Sequence, residues 1–69
     1  MNKQQKQLVQ EFLDERWMIA IETDKRLGNN DEAKFLPNNP DYIYYQASLD
    51  VLGVLGVDWK RKGGKHIVF

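Results

Sequence analysis

Few residues of this chain could do chemistry. One histidine, His66, follows a glycine pair, and four cations, Lys60, Arg61, Lys62 and Lys65, surround the same turn; ten acids lie ahead of it, and cysteine is absent. Zinc or copper needs several ligands at compatible spacing, which a lone histidine does not supply, so no metal site is expected. Nucleophilic catalysis needs a hydroxyl or thiol beside an oriented base; Ser48 and Thr23 both fall in helical patterns, and no triad-like set can be named. Paired carboxylates could act as general acid and base, but acids dispersed over helix surfaces are ordinarily solvated charges. Gly63-Gly64-Lys65 lacks the spacing and the following Ser or Thr of a phosphate loop. Gly53 to Gly56 matches a nucleic-acid clamping loop only in its letters, with Val54 and Leu55 inside it. The reading is a non-enzyme with no catalytic residue, no cofactor and no evident small-molecule substrate.

The cations carry the one nucleic-acid signal. Lys60, Arg61, Lys62 and Lys65 cluster about a hairpin tip, as in the wing of a winged-helix protein, and could follow a phosphate backbone. Against this, neither substantial helix presents basic residues to a major groove. A solvated hairpin tip whose lysines block edge-to-edge strand pairing is the preferred explanation of the cluster.

The elements that position these residues begin with Pro40 to Gly56, a predicted helix capped by Asn39, with Pro40 at its first position and Asp41 on the positive end of its dipole. Ile43, Tyr44, Ala47, Val51, Val54 and Leu55 gather on one side and are expected to form the core face. Tyr45, Leu49 and Leu52 make a second apolar edge, a candidate protein interface unless the hairpin covers it. Gly53 fits early fraying of the last turn, with Gly56 as the left-handed stop.

A first helix is predicted from about Lys3 to Leu27, ending at Gly28, with Lys25 and Arg26 at its negative end. Leu8, Val9, Phe12, Leu13, Ile19, Ala20, Thr23 and Leu27 share one sector. Arg16 projects from that sector as a snorkelling side chain whose head escapes or meets an acid such as Asp50. Trp17, Met18 and Ile21 lie toward the polar side, where they are either singly exposed apolar residues or interface anchors within an acidic rim of Asp14 and Glu15. In the second case, charge reversal of Asp14 and Glu15 slows association. Residues 16–24 also alternate well enough for a strand, but no turn residue separates them from the preceding helix, so continuous helix is preferred. In the connection, Asn30 or Asp31 can cap a single turn through Phe35, and Phe35 with Leu36 plugs one end of the helix pair.

After Gly56 the period becomes two, and Gly63 with Gly64 suits a tight hairpin. A two-residue loop sets Trp59 opposite Val68 and Arg61 opposite His66. A three-residue loop sets Trp59 opposite Phe69 and Arg61 opposite Ile67, and is preferred because it collects Val57, Trp59, Ile67 and Phe69 on one face. Two strands are not stable alone, so that face must rest on the helices.

The 69 residues suit one domain, 1–69, of modest stability, because such a domain buries only about 60% of its unfolded surface. No stretch has the length of a membrane span and the polar start lacks a signal core, so a cytoplasmic protein is expected. The formal charge of zero conceals an asymmetry: Glu11 to Asp58 holds ten acids against four bases, a net of −6, while Trp59 to Phe69 holds four bases and no acid.

Tyr44, Tyr45, Leu49, Asp50, Leu52, Leu55, Gly56 and Trp59, followed by a glycine turn and His66 near an apolar end, resemble small accessory proteins encoded by phages and mobile elements of Gram-positive bacteria. The resemblance implies a protein that binds a host or phage macromolecule and transfers no catalytic residue. The expected architecture is α+β: two main antiparallel helices, a short helical turn and a C-terminal two-stranded β-hairpin. It is expected to serve as a non-enzymatic module that binds another protein or a second copy of itself, with nucleic-acid binding by the hairpin as the alternative.

Overall fold

The computed structural model describes residues 2–29, 34–63 and 65–68. Helix α1 (Lys3–Arg26) and helix α2 (Pro40–Val54) precede strands β1 (Trp59–Lys62) and β2 (Lys65–Val68), which pair antiparallel, giving an α+β fold. Asn2 opens α1 with a reciprocal box, its Oδ1 accepting from the Gln5 N–H at 2.8 Å while Gln5 Oε1 accepts from the Asn2 N–H at 3.0 Å. The helix runs unbroken through residues 16–24 and stops at Gly28, whose φ of +92° suits the residue without a Cβ. The expected single turn at Asn30 or Asp31 lies outside the described residues. Phe35 does close that end of the helix pair, stacking on Tyr42 at 4.2 Å between centroids and meeting Trp17 edge-on at 5.0 Å.

What joins the helices there is a buried polar knot. Asn39, with no exposed surface, accepts from the Asp41 and Tyr42 N–H groups through Oδ1, capping α2. Its Nδ2 donates to the Ala20 carbonyl at 2.9 Å and to Asp24 Oδ1 at 2.6 Å. Asp24, also buried, accepts further from Asn29 Nδ2 and from the Leu36 N–H. Beside the knot, the Thr23 hydroxyl donates to Asp41. These bonds join the end of α1 to the start of α2, so the helices run antiparallel.

The apolar core is small: Leu13, Tyr45 and Leu49, with Val9, Trp17, Tyr42, Leu52, Trp59 and Val68 packed around them. The expected inward face of α2 is therefore turned out. Tyr45 and Leu49 are buried, whereas Ile43, Tyr44, Val51, Val54 and Leu55 are all about half exposed or more, up to 88% at Val54. Two constraints set this rotation: Asn39 pins the start of the helix to α1, and the Tyr45 hydroxyl bonds the hairpin at His66. On α1, Leu8, Phe12 and Leu27 are likewise more exposed than one sector facing the core predicts, while Asp24 points inward.

The hairpin takes the two-residue register, Trp59 opposite Val68 and Arg61 opposite His66, instead of the three-residue one. Gly63 at φ +62° supplies the turn. The register is held by helix side chains on the outer edge of β2. Gln10 Oε1 accepts from the Val68 N–H at 2.7 Å, Gln10 Nε2 donates to the His66 carbonyl at 3.2 Å, and Tyr45 Oη accepts from the His66 N–H at 3.2 Å. One glutamine amide thus stands where a third strand would pair. Gly53 does not fray the helix. It admits Trp59, since a Cβ at position 53 would lie 3.2 Å from the indole. Gly56, at φ +83°, is the stop.

Candidate functional site

Two surfaces of α2 stand out, and they lie on opposite flanks. The first is the outward apolar stripe. Tyr44, Ala47, Val51 and Val54 recur at steps of three, four and three, the spacing of a helix seam, with Ile43 and Leu55 at its edges. Leu8 and Phe12 of α1 extend the face. A shallow groove of about 350 Å³ runs between the helices, lined by Phe12, Tyr44, Ala47, Ser48, Val51 and Leu52. Ser48 adds no free hydroxyl hydrogen there, because it donates to the Tyr44 carbonyl at 2.9 Å.

Arg16 borders this groove. Its guanidinium lies over the Tyr44 ring at 4.9 Å and the Phe12 ring at 5.6 Å, so it meets aromatic faces and not Asp50. Its Nε is buried without a hydrogen-bond acceptor. The stem-packed reading of Arg16 thus stands, but the charge rests on the apolar face instead of pairing across the core.

The second surface is a cleft of about 270 Å³ between α2 and the hairpin, lined by aromatic rings and by Asp50, Arg61 and His66. Burial lowers the pKa of His66 below 6.5, and the Arg61 charge lowers it further, so the imidazole is neutral at pH 7. Burial raises the Tyr45 pKa, keeping its hydroxyl protonated. Tyr45 Oη accepts from the His66 N–H at 3.2 Å and shares a second hydrogen bond with His66 Nδ1 at 3.1 Å.

The residues expected at an interface are divided by the fold. Tyr45 and Leu49 are core, and Leu52 is half-buried, packing on that core and lining the outward groove. Trp17 turns inward onto Tyr45 at 5.3 Å and Phe35, Asp14 accepts from Gln10 Nε2, and Ile21 is half-buried. Met18 and Glu15 remain outside, Met18 at 56% exposure. Of the hairpin cations, Lys60, Arg61 and Lys62 are exposed, with Arg61 on the strand face that holds His66. Among the described residues no group of three or more His, Cys, Asp or Glu could hold a metal ion, and no helix is long and apolar enough to cross a membrane. No known protein family, curated protein or solved structure matches the chain.

Proposed function

We propose that this chain is a non-enzymatic interaction module whose working surface is the outward stripe of α2 with Leu8 and Phe12 of α1, and that its partner there is a second copy. One observation carries the reading: the face is too large to be ordinary exposure. Leu8, Ile43, Tyr44, Val51, Val54 and Leu55 are each 49% exposed or more and Phe12 is 37% exposed, whereas a monomer ordinarily exposes large apolar residues singly. The chain exposes 5103 Å² in all, where a folded monomer of 8.1 kDa is expected to expose about 4,500 Å².

A second copy suits this face better than an occasional visitor. Among the described residues five apolar side chains are buried, so a cover that is always present supports the fold itself. The seam spacing on a single helix is also self-complementary: about a two-fold axis near Ala47 and Val51, two α2 helices can run antiparallel with the same residues on each side. An accessory role in a phage or mobile element is compatible with such a dimer.

Sedimentation velocity over a wide concentration range tests the proposal. The chain should be dimeric at micromolar concentration. Val51→Glu should weaken the dimer by at least about a hundredfold, since a carboxylate buried without a partner costs several kcal/mol. A wild-type chain that stays monomeric at every concentration refutes it. The competing proposal, nucleic-acid binding by the hairpin, predicts that alanine at Lys60, Arg61, Lys62 and Lys65 abolishes salt-sensitive retention on nucleic acid while the fold is kept.

A further inference from the structure

The cleft on the other flank of α2 has a charge arrangement that the fold does not require. Asp50 on its helix wall and Arg61 on its strand wall are both exposed, and neither has an ion-pair partner among the described residues. His66 adds an imidazole to the strand wall, engaged through Nδ1 with Tyr45 Oη. Between the walls lie Trp17, Leu49 and Trp59. We infer that this cleft binds a small zwitterion with an apolar body, of the α-amino-acid class.

The assignment follows from what each wall excludes. A plain anion would suit Arg61 but face Asp50, and a plain cation would suit Asp50 but face Arg61, so a ligand carrying both charges fits best. A carboxylate accepts from the Arg61 guanidinium, an ammonium donates to Asp50, and the side chain rests against the indoles. The volume, about 270 Å³, lies just below the ~300–1,000 Å³ of drug-sized sites and suits a small metabolite. The apolar walls are already set: Trp59 is seated against Gly53, and Trp17 is held between Phe35 and Tyr45. Little ordering cost therefore falls on binding.

The chain has two tryptophans, and both line this cleft, so intrinsic fluorescence reports occupancy. The full chain is titrated at pH 7 with L-leucine, N-acetyl-L-leucine and L-leucine amide. The expected result is a saturable change with L-leucine that weakens at least about tenfold when either charge is blocked. Asp50→Asn should remove the preference over the acetylated compound, and Arg61→Gln the preference over the amide; both positions are exposed, and circular dichroism confirms that the variants fold. The response should persist in Val51→Glu, which separates it from self-association. No saturable change with L-leucine at millimolar concentration, or an equal response to all three compounds, overturns the assignment.

Discussion

Asn39 offers the sharpest test of how the helices are joined, because its side chain performs two tasks that substitution can separate. Its Oδ1 caps α2 and its Nδ2 bonds the Ala20 carbonyl and Asp24, with no surface exposed to water. Asn39→Ala loses the cap, typically about 1 kcal/mol, and leaves a buried carbonyl without its donor, a further ~1–3 kcal/mol. The total, about 3 kcal/mol, is a large share of the roughly 3–10 kcal/mol expected for a chain of this length. At about 4–8 °C per kcal/mol it should lower Tm by more than about 12 °C. Asn39→Asp is the decisive companion. Aspartate caps helices as well as asparagine, so a pure capping role predicts near-wild-type stability. The knot predicts the reverse: both donors are lost and a second carboxylate is set against Asp24, so the variant should be at least as unstable as Asn39→Ala at pH 7. Its deficit relative to wild type should shrink as the pH falls toward 4, where one carboxyl takes a proton. Urea unfolding at fixed protein concentration measures all three proteins. An Asn39→Asp chain within about 0.5 kcal/mol of wild type at pH 7 would show that the amide donors contribute little.

Gln10→Ala should cost about 2 kcal/mol by freeing the edge of β2, and it should speed amide exchange at Val68 well before exchange within α2 changes; unaltered Val68 exchange contradicts the edge role. Stability should also fall in two steps on acidification. The His66 pKa is depressed in the fold, so its contribution is complete above about pH 6.5 and is lost as pH drops through the folded value; His66→Gln should abolish that upper step. For Asp24, desolvation pushes the pKa up, but the hydrogen bonds from Asn29, Asn39 and Leu36 together outweigh it, leaving the folded value below 3.8. Its contribution is present above about pH 4 and lost as pH falls through the folded value, so urea midpoints that stay flat below pH 4 would count against the knot.

Local signals in the sequence carried the elements and their ends. Asn39-Pro40 started α2, Gly28 and Gly56 stopped the helices with positive φ, and the glycine pair placed the hairpin. The rotation of α2 was not legible, because apolar residues occupy most of its circumference and periodicity does not rank two apolar arcs against each other. Its orientation depends on Asn39 reaching Ala20 and Asp24, 19 and 15 residues away, and on a tyrosine hydroxyl meeting a strand 21 residues later. The hairpin register failed for a related reason. Counting apolar residues per face ignored the β2 edge groups, which Gln10 satisfies from 56 and 58 residues away. No sequence pattern marks a glutamine for that task.

The polar knot and the outward stripe belong to one argument. A buried carboxylate and amide specify geometry more than they stabilise it, since their desolvation offsets much of what their bonds return. With orientation set by polar groups, the apolar core between the helices can be as small as Leu13, Tyr45 and Leu49, and most of the remaining apolar surface of α2 is left facing outward. A helix with one apolar face toward its own domain and another toward solvent has a face on which a second neighbour can pack. One neighbour is α1 with the hairpin. We propose the same helix of another copy as the second, which makes folding and assembly draw on a common set of contacts.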